Sequence, residues 1–229
     1  MENLLINSCD FNEDVYRNIV SLRKSENLFD DLSTDEELTQ LAVQVEAKVK
    51  SNVPNDLISR GFYYSTAIGY PFQMENTKIS RYSDGSFPVW YGSLELDTSI
   101  HETAFHMART ELHIEGLDEI VVRERAVYKV NCKAILIDLI NKRNAFPQLV
   151  AEDYSFTQQI GHRLHREGHP GLLAPSARYT GGNTVIFNHQ VLSNVRSYCY
   201  LTYQFDPRNK KVTIEREPGK KYKTIKFDL

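Results

Sequence analysis

Apolar positions at helical spacing open the chain, and short apolar runs between turn residues dominate it after about residue 70. In "STDEELTQLAVQVEAKVK" Leu38, Leu41, Ala42 and Val45 form one stripe, and Thr34 with Glu37 makes a capping box that satisfies orphan amides of a first turn. A second helix is expected near residues 11–24. "STAIGYPFQMENTKISRYSDGSFPVWYG" then brings glycine, proline and aromatics, which mark turns and short strands, so a boundary is placed near residue 75.

Beyond it "PVWYGS" reads as a strand and "TSIHETAFHMARTELH" as a helix with Ile100, Ala104, Ala108 and Leu112 inward. "EIVVRERAVYKVN" alternates in part, as a strand does. "SFTQQIGHRLHREG" reads as a helix stopped by Gly168 with Pro170 beyond. "NTVIF", "SYCYLTYQF", "KVTIER" and "YKTIKF" read as strands, the last three joined by "DPRNK" and "EPGKK" turns. Helices and strands mix without a βαβ rhythm, which predicts an α+β fold with mostly antiparallel sheets. It comprises a helical extension over 1–75 and a domain over 76–229.

Composition adds exclusions. With 41% hydrophobic and 25% charged residues among 229, the chain is neither disordered nor fibrous. A net charge of -3 gives no general attraction to nucleic acid or anionic membrane. Cys9, Cys132 and Cys199 are odd in number and lack C-x-x-C spacing, so neither a disulfide framework nor a cysteine zinc site is indicated. The acidic start "MENLLINSCDFNED" does not read as a signal peptide, and no apolar run approaches membrane-spanning length. A soluble cytoplasmic protein is expected.

The candidate chemistry is bland residue by residue. Ser176 lies between Pro175 and Ala177, without the G-x-S-x-G elbow of a hydrolase nucleophile, so it contacts a ligand or shapes a turn. Gly181-Gly182 either expose amides to an anion or form a hairpin tip; the lysine of a phosphate-binding loop is missing. Ser99 and Glu102 fit a capping box, which places Glu102 off the apolar stripe and near the positive end of the helix dipole, either solvated or facing a pocket. Arg81 is a surface arginine or a bidentate phosphate ligand, and Tyr82, Trp90 and Tyr91 suit a core or stacking on a heterocycle. His162, His165 and His169 raise a metal-dependent hydrolase reading, but Glu167 is the region's one acid and Gly168 ends the helix before His169. His101 and His106 invite the same caution.

Their order is more specific. Arg81, then "VWYGSLELDTSIHETAFH" with Tyr91 and Glu102, then "GLLAPSARYTGGNTVIFN" with Ser176, resembles the RES-domain family, named for its arginine, glutamate and serine. The resemblance covers about 76–190 and leaves a strand-rich tail over 191–229. It implies an ADP-ribosyltransferase-like fold, with split antiparallel sheets and flanking helices. It also implies a toxin that cleaves NAD between nicotinamide and ribose, paired with a helix-turn-helix antitoxin. The ADP-ribosyl acceptor is water, phosphate or a protein. On that resemblance Glu102 stabilises an oxocarbenium-like state, Arg81 pairs with the pyrophosphate, Tyr91 packs on the nicotinamide or its ribose, and Ser176 hydrogen-bonds the ribose or amide. Tyr82, Arg178 and Asn183 are secondary ligand contacts. No metal or prosthetic group is implied, because nicotinamide leaves as a neutral molecule. The segments outside the match offer a surface for self-association, a lid or a site for a protein acceptor. A non-catalytic binding protein on the same fold is the other reading.

Overall fold

The computed structural model describes residues 4–21 and 65–228. The helix expected from Thr34 and Glu37 lies outside the described residues. Among the described residues eight strands, β1 (Ser8–Val20), β2 (Trp90–Ser93), β3 (Val121–Asp138), β4 (Gly171–Pro175), β5 (Gly182–Ile186), β6 (Leu192–Asp206), β7 (Lys211–Glu217) and β8 (Lys220–Lys226), join two α-helices, α1 (Leu96–Glu111) and α2 (Ser155–Arg166). They form one mixed sheet in the order β1-β2-β5-β4-β3-β6-β7-β8, rather than the split sheets expected. β1 also pairs with β3, so β1, β2, β5, β4 and β3 close into a ring.

Side-chain alternation explains how the ring fills. On β3, Ala126, Tyr128, Val130 and Cys132 point inward to join Phe11, Val15, Trp90, Leu173 and Ile186. Val127 points outward beneath α1, with Ile100, Ala104, Met107 and Ala108 above it. The stripe expected for α1 is therefore the buried one, with Leu112 partly buried at its end. On β4, Leu172 and Ala174 face out to Ile160 and Leu164 of α2.

Strand β1 corrects the expectation of a helix near residues 11–24 over the part of it that is described. Phe11, Val15 and Asn18 are buried at a spacing that imitates a helix, yet Ser8–Val20 is a strand in unbroken register with β3, from Ser8 opposite Ile137 to Val20 opposite Arg125. The imitation arises because both faces are covered. Phe11 and Val15 enter the ring, while Asn18 meets Tyr203 at 3.1 Å and Ser99 at 3.5 Å on the α1 side. Strand β3, helix α2 and strand β4 also make one parallel crossover in an otherwise antiparallel sheet, because Ile137 and Asp138 pair in parallel with Leu172 and Leu173.

The segment after residue 190 is no appendage. β6 pairs with β3 over most of its length, and β8 ties back to the start of α1 through Lys223 and Tyr222, 2.5 and 3.1 Å from the two oxygens of Asp97. Burial works against the Asp97 carboxylate, but these hydrogen bonds leave its pKa below the usual carboxylate range. The "EPGKK" turn is explained by Gly219 at φ +74°, the left-handed position of a Pro-Gly turn. Helix α2 stops as read from the sequence. Gly168 has φ +78°, its amide donates to His165 and the amide of His169 donates to Leu164, a Schellman closure.

Candidate functional site

The ends of β2 and β4, the start of β5 and the second turn of α1 meet at one end of the ring. Register sets this up: Ser93 opposes Asn183 across β2 and β5, and Pro175 opposes Gly182 across β4 and β5. Glu102 reaches this end from α1. Its Oε1 accepts from Ser176 Oγ at 2.6 Å and from Asn183 Nδ2 at 3.0 Å. Asn183 is held in turn, because its Oδ1 accepts from Ser93 Oγ at 2.7 Å. Both bonds fall on one carboxylate oxygen, and Oε2 has no hydrogen-bond partner among the described residues.

The expected capping box is not formed. Helix α1 begins at Leu96 with Glu95 as its N-cap, so Ser99 bonds the Leu96 carbonyl and Glu102 sits a turn too deep to reach an orphan amide. The helix-dipole argument also lapses there, since that field fades within the first turn.

Ser176 is fully buried. Its Oγ donates to Glu102 while accepting from the amides of Arg178 at 3.1 Å and Tyr179 at 3.0 Å. Through these three bonds inside the fold the hydroxyl holds Glu102 and shapes the loop. Gly181 closes the same loop, with its carbonyl 2.9 Å from the Ser176 amide. A Cβ on Gly181 would lie 2.1 Å from Thr98 Oγ1 and 2.2 Å from Glu95 Oε2, and one on Gly182 would strike Ile140. The double glycine thus permits close packing, of Gly181 against the start of α1 and of Gly182 against Ile140 and Leu94. With the Glu95 carboxylate beside it, Gly181 does not make an anion cradle.

The aromatic candidates are tied into the fold. Tyr82 is 1% exposed and packs with Phe87 and Leu164. Tyr91 is partly buried. Its hydroxyl donates to Ser80 Oγ and accepts from the Tyr82 amide, and burial pushes its pKa up to about 12. Those bonds fix the Ser80–Ser83 loop that carries Arg81. The Arg81 Nη1 donates to the carbonyls of Ala151 at 2.6 Å and Leu149 at 3.4 Å, and its guanidinium lies 4.5 Å from the centre of the Tyr154 ring. Its remaining donors make no hydrogen bond among the described residues.

Arg178 stands on the Phe105 ring, 3.5 Å from its centre, and grips both oxygens of Glu152. No sequence signal pointed to Glu152, Phe105 or Arg109, because their meeting depends on packing a loop over α1. Of the histidines, His165 stacks on Phe87 at 4.3 Å and His101 on Tyr179 at 4.2 Å. His169 lies 3.8 Å from Glu167, and burial lowers the pKa of His106 against the pull of Glu102. Among the described residues no group of three or more His, Cys, Asp or Glu side chains could hold a metal ion. None of the described helices is long and apolar enough to cross a membrane.

No curated protein matches the chain. Among solved structures, the M. tuberculosis MbcT-MbcA toxin-antitoxin complex is similar at 13% identity and a TM-score of 0.44, covering 88% of this chain and 88% of that one. The family model of the RES domain matches residues 57–206. That match takes in Arg81, Glu102 and Ser176 and runs from before β2 through the end of β6, so it begins earlier and ends later than the motif resemblance. The chain belongs to the RES domain family.

Proposed function

We propose that this protein is a RES-type toxin that cleaves NAD between nicotinamide and ribose and passes the ADP-ribosyl group to water or phosphate. The observation that carries this is the Glu102 carboxylate, oriented through Oε1 by Ser176 and Asn183, with Oε2 without a hydrogen-bond partner among the described residues. As the bond to nicotinamide breaks, positive charge develops on the ribose, and a fixed carboxylate stabilises it without reorganising. Ser176 and Asn183 are then positioning residues. Arg81, with donors remaining beyond Nη1, is proposed to meet a phosphate, and Tyr91 to hold the loop that presents it. An antitoxin partner belongs to the same proposal.

The test follows free nicotinamide after NAD is mixed with the purified protein, with and without phosphate and with a cell lysate. Release is expected, with ADP-ribose, its phosphorylated form or modified protein identifying the acceptor. Folded protein that releases none under any condition overturns the proposal, and tight NAD binding without turnover marks a binding protein instead.

Ser176→Ala is expected to lower kcat by about 10- to 100-fold with little change in KM, since misplacing a catalytic group costs on that order. Leaving the amides of Arg178 and Tyr179 without an acceptor should also cost about 1–3 kcal/mol of stability. Steady-state kinetics beside a thermal melt separate the two effects. Native turnover in this variant would detach Ser176 from the action of Glu102.

A further inference from the structure

We propose that Glu152 is an intramolecular stand-in for a ligand phosphate, seated at an anion position formed by Arg178 and Arg109, and that it competes with the ligand for that position. The choice of a phosphate-bearing ligand rests on the NAD reading above.

The asymmetry of the pair carries the argument. The Arg178 side chain is 13% exposed, and Phe105 supports its guanidinium from below, so the fork is preorganised. The Glu152 side chain is 62% exposed and projects from the irregular segment between Leu149 and Ser155. A guanidinium fork accepts a carboxylate and a phosphate in the same bidentate geometry, so what suits one suits the other. Arg109, 3.8 Å from the same carboxylate and 51% exposed, leaves two guanidinium groups facing one carboxylate. The hydrogen bonds from Arg178, and then the charges of Arg178, Arg81 and Arg109, hold the Glu152 pKa below the usual range.

There is room for a ligand. A cavity of about 450 Å³ is lined by Phe105, Arg109, Glu152 and Arg178, with His113 and Asp228 on its wall. Phe105 and Arg109 lie about one and two turns beyond Glu102 on α1, so the position adjoins the carboxylate proposed to act on the ribose. Glu152 is the exposed partner and makes its contacts from the surface, so it can leave without uncovering the core, while an incoming anion takes its place on Arg178.

The test is calorimetric titration of the full chain with inorganic pyrophosphate. Glu152→Gln is expected to bind it about tenfold tighter than the native protein at low ionic strength, with the gap narrowing as salt is added. Arg178→Gln is expected to remove binding in either background. Equal or weaker binding by Glu152→Gln, or no binding by either protein, overturns the proposal; weaker binding would mean that Glu152 positions Arg178 rather than competing for it. Nicotinamide release is measured alongside. Tighter pyrophosphate binding without any NAD turnover upholds the anion position and removes the NAD reading, whereas intact turnover with unchanged pyrophosphate binding removes this proposal alone.

Discussion

Glu102→Gln is expected to lower nicotinamide release by about 10³-fold in kcat while leaving the fold intact, the scale seen when a preorganised electrostatic contact to a transition state is removed. The amide is the same size, and its oxygen can still accept from Ser176 and Asn183, which make their bonds to a single oxygen of the native side chain. What is lost is the negative charge opposite the developing cation. Glu102→Asp keeps the charge but withdraws it by one methylene from those two donors, so an intermediate rate is expected. Kinetics of nicotinamide release, with a melting curve to establish folding, check both variants. A glutamine variant of near-native rate would remove the cation-stabilising role.

Gly161→Ala is expected to destabilise the protein by about 3 kcal/mol, lowering the thermal midpoint by about 6–12 °C, because overpacking against backbone has no cheap relief. A Cβ at Gly161 would sit 1.9 Å from the carbonyl oxygen of Tyr82 and 2.8 Å from its carbonyl carbon. Neither atom can swing aside as a side-chain tip can. Helix α2 would have to lift from the loop that carries Arg81, where Gln158 also donates to the carbonyls of Ser80 and Ser83. The same substitution should therefore weaken substrate binding at temperatures where the protein remains folded. A melt within a degree or two of the native one would contradict the close approach.

These two residues mark how far sequence reasoning reached. Glu102 was legible as an outward carboxylate because α1 has a three-membered buried stripe, Ile100, Ala104 and Ala108, and helical periodicity makes the opposite face predictable. Gly161 was not legible. A glycine inside an amphipathic helix says that something comes close, but not what, and Tyr82 lies 79 positions earlier. The capping-box reading of Ser99 and Glu102 failed for a related reason. The spacing is local, while the start of α1 at Leu96 is set by where β2 ends and by the packing of Thr98 and Glu95 against Gly181.

What the sequence by itself determined was the set of locally coded features. The two amphipathic helices, the Gly168 stop and the Pro-Gly hairpin depend on residues within a few positions of one another, and the family motif on short blocks recurring in a fixed order along the chain. Tertiary structure alone decided three things. Residues 8–20 became a strand because an 18-residue β3 offered a full-length edge and both faces of the new strand found cover. Ser176 became a buried support for Glu102, since its three partners come from α1 and from the turn it closes. Glu152 met Arg178 and Arg109 because a loop lies across the helix that carries Glu102. In each case the deciding contact joins segments far apart in the chain, whose approach follows from burying apolar faces together and leaves no periodicity in either segment.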